Sequence, residues 1–221
     1  LLANLMKSIG YRGAVIVPTF NYSFCKGIPY DHHKTLSQVG LFTNYILASG
    51  APRSFHPIFS FAGLGDVYNI LMDNIGKDSF GKDSVFDRLY QANAKILFYQ
   101  VPFDYCTFVH YAEQAMNVDY RFKKYFSGWV TNEEGKTWYD TFSFFVRYMP
   151  TDRYPYIRVE TDFSKLDAIV DKTYGDNYFV VSCRDVYDKA TELIRQNEHN
   201  LVKQSVILGG QTESINIYNK Q

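Results

Sequence analysis

Apolar residues recur along this chain with two different spacings, and their order predicts an α/β protein. Spacings of three to four residues indicate helices, whereas continuous apolar runs or strict alternation indicate strands. Helices are predicted at residues 2–9, 37–50, 67–72, 85–89, 162–174 and 185–197, with a further helix around His110. Strands are predicted at residues 14–17, 95–101 and 178–182, with a hairpin at 122–148 that turns at 132–136. This order favours an α/β/α sandwich with a central mixed sheet, formed as one domain from residues 1–221.

Composition and charge narrow the class of protein. The 221 residues include 23 Lys and Arg against 23 Asp and Glu, so the basic footprint of a nucleic-acid binder is missing. The widely spaced Cys25, Cys106 and Cys183 indicate reduced thiols and therefore a cytoplasmic protein. Neither a signal peptide nor a span of about 20 apolar residues is present, so no membrane association is expected. A small-molecule ligand fits this composition, and a homodimer is compatible with it.

A histidine and a carboxylate stand three residues apart just after a predicted strand. His110 and Glu113 follow the strand at residues 95–101, which places His110 in the first turn of a helix at the carboxyl edge of a sheet. The positive end of the helix dipole keeps an imidazole neutral, as a general base requires. Glu113 either orients the imidazole, which would raise its pKa, or binds a substrate ammonium. The competing interpretation is a solvated polar face of the helix without chemistry.

Several further motifs occur in a fixed order around this pair. They are the block Val15-Ile16-Val17-Pro18-Thr19-Phe20; Tyr30-Asp31 with Thr35, Ser37 and Gly40; the loop Arg53-Ser54-Phe55-His56-Pro57 with Ser60 and Gly65; Phe80-Gly81-Lys82-Asp83-Ser84; and Thr107, His110 and Glu113. In these motifs the chain resembles the aminoglycoside 3-N-acetyltransferase family, whose members move acetyl from acetyl-CoA to a sugar amine. The resemblance implies an antibiotic N-acetyltransferase-like α/β fold and acetyl-CoA as co-substrate.

The resemblance also implies roles for individual residues. The expected catalytic residues are His110 and Glu113, the expected substrate-binding residues are Asp31, His56 and Thr107, and the expected CoA-binding residues are Thr19, Phe20, Ser37, Arg53 and Ser54. Arg53 has two open interpretations, a buried carboxylate partner or a CoA phosphate. Backbone N–H groups of residues 18–23, or of Ser37 at a helix start, are expected to stabilise the oxyanion. No metal is expected. His32 and His33 are adjacent, and adjacent residues rarely bind the same metal ion, so an exposed loop is the expected place for both.

The acceptor is left open between two kinds of amine. One is an aminoglycoside; the other is an amino sugar of polysaccharide or metabolite biosynthesis, on whose ring Tyr30, Trp129 and Trp138 would stack. A degenerate, non-catalytic family member is a third alternative, since the family's N-terminal block has no counterpart before Leu1. A covalent route through Cys106 is the least favoured.

Two positions depart from the family pattern. Gln100 stands where the resemblance places a glycine, and Leu36 stands where it places a proline. The larger side chain of Gln100 is expected to narrow the pocket, and the change at Leu36 is expected to be mild.

Overall fold

The computed structural model describes residues 13–148 and 159–203, and the predicted helix at residues 2–9 lies outside them. The strands are β1 (Ala14–Pro18), β2 (Tyr30–Asp31), β3 (Phe61–Gly65), β4 (Lys95–Tyr99), β5 (Arg121–Thr131), β6 (Thr137–Arg147), β7 (Glu160–Thr161), β8 (Thr173–Gly175), β9 (Tyr178–Ser182) and β10 (Val202–Lys203). The helices are α1 (Leu41–Ala48), α2 (Val85–Gln91), α3 (Val109–Ala115), α4 (Ser164–Ile169) and α5 (Cys183–Gln196). The α/β class and the mixture of parallel and antiparallel pairing are confirmed. Among the described residues, no helix is long and apolar enough to cross a membrane.

The chain divides into two compact units, which are described separately. Unit 1 takes in the described residues up to 89 together with 124–144, and unit 2 takes in 90–123 together with the described residues from 145 onward. The expectation of one domain is not tested by this division and stays a prediction.

Unit 1 contains strands β1 to β3 and most of the β5–β6 hairpin, and its core includes a cluster of phenylalanines. Strand β1 pairs antiparallel with β3, from Ala14 opposite Gly65 to Pro18 opposite Phe61. The short β2 pairs in parallel with β5, which lies between β2 and β6. The ring of Phe20 packs edge-on against Phe59 and Phe61, at centroid distances of 4.9 and 5.1 Å. These ring contacts join the loop after β1 to the segment that leads into β3.

In the residues that the structure describes, unit 2 combines a three-stranded antiparallel sheet with helices α3, α4 and α5. Strand β9 lies between β4 and β8, and β7 pairs separately with β10. Helix α5 is capped by Ser182, whose hydroxyl accepts from the Asp185 N–H, and it buries Ala190, Leu193 and Ile194 as the sequence predicted.

Most predicted elements are confirmed with small changes at their ends. Strands β1, β4 and β9, the β5–β6 hairpin and helix α2 lie where the pattern placed them. Ser84 caps helix α2 by accepting from the Asp87 N–H at 3.2 Å. The predicted helix at residues 67–72 is a turn of π-helix at Tyr68–Met72. Strands β2, β7 and β10 were not predicted because two residues show no periodicity, and β3 was not predicted because two of its five residues, Gly63 and Gly65, interrupt the apolar run.

Two predicted helices are wrong in extent. Helix α1 begins at Leu41, after Gly40, and not at Ser37. Its buried residues are Thr43 and Ile46, while the apolar Leu41 and Tyr45 are exposed at 91% and 65%.

The second wrong extent concerns the helix predicted at residues 162–174. Helix α4 stops at Ile169 because Val170 adopts an extended conformation, with ψ of 141°. The following Thr173–Gly175 then form β8 beside β9, where a β-branched and an aromatic residue are favoured.

Candidate active site

Helix α3 in unit 2 carries the histidine and the carboxylate that the sequence singled out. Strand β4 ends at Tyr99, and Gln100 turns the chain with φ of 54°, in the left-handed region that favours glycine. A 3₁₀ turn at Phe103–Tyr105 follows, and α3 begins at Val109. His110 therefore lies in the first helical turn, as predicted, and its N–H donates to the Thr107 carbonyl at 3.1 Å.

His110 and Glu113 form a hydrogen-bonded pair. His110 Nδ1 lies 2.6 Å from Glu113 Oε2, with 18% of the His110 side chain exposed and none of the Glu113 side chain exposed. An ionised carboxylate only accepts hydrogen bonds, so Nδ1 carries the proton that it donates. In the neutral ring the lone pair then belongs to Nε2, the tautomer that a general base uses. The interpretation of Glu113 as part of a solvated helix face is wrong.

Two residues that sequence reasoning missed complete the surroundings of Glu113. Arg121 Nε lies 2.7 Å from Glu113 Oε2, at an angle that makes an ion pair but no hydrogen bond. The Tyr120 hydroxyl donates to Glu113 Oε1 at 3.0 Å. Both carboxylate oxygens are therefore engaged, and the pair is held by residues at the start of strand β5. One signal could have pointed to Arg121 from the sequence. A carboxylate that is buried, as Glu113 is, needs a cation beside it.

The electrostatics keep His110 neutral and Glu113 ionised. Burial lowers the pKa of His110, the positive charges of Arg121 and Arg147 lower it further, and Glu113 opposes them without reversing the shift. Burial raises the pKa of Glu113, but Arg121 and His110 outweigh burial and leave that pKa below its ordinary value. From the sequence, the helix dipole and Glu113 have opposite effects on the pKa of His110. In the structure, burial and Arg121 lower this pKa and decide that the imidazole is neutral.

Arg53 in unit 1 is buried and is used to hold loops together. Its Nε donates to Ser60 Oγ at 3.0 Å, and its terminal nitrogens donate to the carbonyls of His32, Thr35 and Thr19. The guanidinium also lies 5.3 Å from the centroid of the buried Tyr30 ring. Four of the five N–H groups of a guanidinium are thus engaged within unit 1. A contact of Arg53 with CoA stays a prediction.

His56 is a buried, neutral histidine in unit 1. Its Nδ1 accepts from the N–H groups of Ile58 and Phe59, at 3.2 and 3.0 Å, which places the ring proton on Nε2. Burial lowers the pKa of His56 to about 4, although the Lys77 carbonyl and Asp78 favour the charged form. These contacts give His56 a structural explanation, and its predicted contact with substrate is not tested.

The other predicted cofactor residues are buried in unit 1. Thr19 and Ser54 are fully buried, Phe20 lies in the aromatic cluster, and Ser37 is 7% exposed. The backbone amides of Thr19, Asn21, Tyr22, Ser23 and Ser37 already donate within the unit. These amides therefore cannot serve as the predicted oxyanion donors without rearrangement, and Ser37 is not at a helix start.

The turn around Asp31 carries polar groups of both signs. Asp31 Oδ1 accepts from the N–H groups of His33 and Lys34, and Oδ2 lies 3.2 Å from Lys34 Nζ. His33 Nε2 lies 2.8 Å from the carbonyl of Glu133, which brings the hairpin turn beside this segment. His32 is 7% exposed, so its predicted place in an exposed loop is wrong. Among the described residues, no three histidine, cysteine or acidic side chains cluster around a metal position.

Burial bears on two further predictions, the stacking of aromatic side chains on a sugar ring and the covalent route through Cys106. Tyr30 is 1% exposed and Trp138 stacks on Phe55, which leaves Trp129, at 54% exposure, as the accessible ring of the three proposed for stacking. Burial raises the pKa of the Cys106 thiol to about 12, so this group is not an activated nucleophile.

Comparison with known proteins identifies the family and the fold. The model of the aminoglycoside 3-N-acetyltransferase family matches residues 1–195. Similar solved structures include AAC-IIIb in a binary complex with CoASH, at 18% identity over 88% of this chain and 82% of that chain, with a TM-score of 0.69. AAC-VIa bound to sisomicin is 18% identical over 89% and 83% of the chains, with a TM-score of 0.70. The YokD protein from Bacillus subtilis is 17% identical over 89% and 84%, with a TM-score of 0.66. A search of curated protein sequences finds no match.

Proposed function

We propose that this chain, which belongs to the aminoglycoside 3-N-acetyltransferase family, transfers acetyl from acetyl-CoA to an amine of an aminoglycoside or a related amino sugar. The observation that carries the proposal is the His110–Glu113 pair, with its 2.6 Å contact and its neutral imidazole. A base of this kind is what acyl transfer to an amine requires, because the attacking nitrogen must lose a proton.

The proposed reaction is a direct transfer. The amine nitrogen attacks the thioester carbonyl carbon, and His110 Nε2 takes the proton from that nitrogen as the new C–N bond forms. The C–S bond then breaks, and the imidazolium returns the proton to the departing CoA sulfur. Glu113 stabilises the imidazolium during this interval and holds the ring in one tautomer, as a carboxylate does in other acyl-transfer sites.

Acetyl-CoA as co-substrate is supported by a related protein and by the family. The AAC-IIIb structure is described with CoASH bound, and the family name itself specifies acetyl transfer. The raised pKa of Cys106 favours direct transfer over an acyl-cysteine intermediate. A cytoplasmic location is part of the proposal, and three free thiols support it.

A polycationic acceptor is the preferred substrate class. AAC-VIa is described with sisomicin bound. Within unit 1, His33 Nε2 lies 2.8 Å from the Glu133 carbonyl, so the hairpin turn that contains Glu133 and Glu134 is adjacent to the turn around Asp31. Carboxylates in such an arrangement attract a cationic sugar, and salt weakens that attraction over a Debye length of about 8 Å.

The test is acetyl-CoA-dependent release of free CoA thiol with a kanamycin-type aminoglycoside, beside glucosamine, at low and high salt. We expect turnover of the aminoglycoside, with a Michaelis constant that rises steeply with salt. Salt-insensitive turnover of glucosamine alone would transfer the proposal to mono-amino sugars. No thiol release with either amine, together with no heat on titrating acetyl-CoA, would overturn the acetyltransferase proposal.

A further inference from the structure

Arg121, the first residue of strand β5, lies against the buried carboxylate of the His110–Glu113 pair and is almost completely shielded from solvent. Its side chain is 3% exposed, and Nε lies 2.7 Å from the fully buried Glu113 carboxylate. A second nitrogen, Nη1, donates to the Phe145 carbonyl at 3.3 Å, which ties the guanidinium to strand β6. The cation is therefore fixed in place by the start of one strand and the end of the next.

We propose, resting on the function proposed above, that Arg121 is a positioning residue: its fixed charge keeps one proton fewer on the His110–Glu113 pair, so that the pair enters each turnover as a base. Without this cation, a buried carboxylate and an imidazole 2.6 Å apart would share one additional proton. On the imidazole, that proton occupies the Nε2 lone pair. On Glu113 Oε2 it is donated to Nδ1 and leaves the ring proton on Nε2, so in both cases Nε2 cannot act as a base. Arg121 therefore acts on the total number of protons that His110 and Glu113 hold together, and not on one of the two residues alone.

The remaining groups around His110 support this assignment. Glu113 is the acidic group that faces the imidazole, and Arg121 and Arg147 are the cations that act on it. The ring of Phe163, from the start of helix α4, lies 6.0 Å from the His110 ring and adds no charge. Tyr120 engages the other carboxylate oxygen through a neutral hydroxyl. Arg121 is the cation in direct contact with the carboxylate, so its removal changes the charge of the site most.

The charge of Arg121 is tested by the pH profile of kcat/KM in Arg121→Gln and Arg121→Lys. The Gln variant keeps an N–H donor near Glu113 but loses the charge, and the Lys variant keeps the charge but loses the planar fork. We expect the acidic limb of Arg121→Gln to move to higher pH by about one unit or more. We expect Arg121→Lys to leave the acidic limb of the kcat/KM profile at its wild-type pH and to lower the plateau value of kcat/KM. Arg195→Gln, at an exposed position of α5, is the matched control and should leave the profile unchanged.

A purely structural function of Arg121 would lower the rate by the same factor at every pH, and that result would overturn the proposal. A second measurement does not depend on turnover: NMR titration of the His110 ring in the wild-type protein and in Arg121→Gln. We expect a wild-type midpoint below the ordinary value of 6.5 and a higher midpoint in the variant. If Arg121→Gln does not fold, a wild-type His110 midpoint at or above 6.5 still contradicts the proposal. Absence of acetyl transfer with a low wild-type midpoint would refute the proposed function and leave the charge effect intact.

Discussion

His56 makes unit 1 sensitive to acid, and the size of the effect follows from its burial. The folded-state pKa is lowered from 6.5 to about 4, and the residue is 2% exposed. The pKa of His56 is lower in the folded unit than in the unfolded chain. At pH values between the two, the unfolded chain therefore binds a proton and the folded unit does not. Stability from this source is complete above about pH 6.5 and is lost as the pH falls toward about 4. At about 1.4 kcal/mol per unit, the loss totals about 3 kcal/mol.

The substitution His56→Asn isolates this contribution. The Asn Oδ1 takes the place of Nδ1 as acceptor for the amides of Ile58 and Phe59, and the group no longer titrates. The lost contact with Phe142, whose ring centroid lies 5.2 Å away, makes the variant less stable near neutral pH. On acidification the wild type loses stability and the variant does not. We therefore expect the difference in their free energies of unfolding to decrease by about 3 kcal/mol.

The assay is urea unfolding followed by tryptophan fluorescence between about pH 7.5 and about pH 4.5. Both tryptophans, Trp129 and Trp138, belong to unit 1, so their emission reports on the unit that contains His56. Curves of stability against pH that run parallel in wild type and variant would refute the reasoning.

Two further predictions concern the backbone framework of unit 1. Arg53→Lys should destabilise the unit by about 2–4 kcal/mol in the same urea assay, because one ammonium cannot reach all four acceptors and leaves buried carbonyls unpaired; unchanged stability would contradict the anchoring function. Gly65→Ala should lower the melting temperature much more than Gly27→Ala, because a methyl group at Gly65 would overlap the Gly13 carbonyl while the space at Gly27 is open. Both glycines have positive φ, so equal effects would show that the overlap is relieved at no cost.

The parts of this protein that were predictable from sequence depend on local patterns. The i, i+3 spacing of His110 and Glu113 forces contact once α3 forms, and a strand followed by a helix is readable from periodicity. The β5–β6 hairpin follows from alternation and a polar turn. The left-handed turn at Gln100 gives a backbone reason for the glycine that the family resemblance places there.

The remaining features depend on contacts that no spacing specifies. Arg121 reaches Glu113 only because the start of β5 passes beside α3, and Arg53 is occupied by carbonyls up to 34 residues away. The predicted start of α1 was wrong because Ser37 has the residue type of a helix cap, yet its hydroxyl accepts from the Val39 N–H before the helix and from the Thr43 hydroxyl within it. At Arg121 and Arg53 the decisive contacts are with residues distant in the sequence, and at Ser37 a local side-chain hydrogen bond replaces the helix cap.

The account depends most on His110 as the base, and rapid-mixing measurement of acetyl transfer by His110→Ala tests it most directly. We predict that the rate falls by about 100-fold or more, because the missing group acts on the moving proton. Acetyl-CoA affinity, measured by calorimetry on the same preparation, should stay nearly unchanged. The matched control is His199→Ala, which removes a half-exposed imidazole from the same unit and should retain the wild-type rate. A His110→Ala protein that transfers acetyl at close to the wild-type rate would contradict the account.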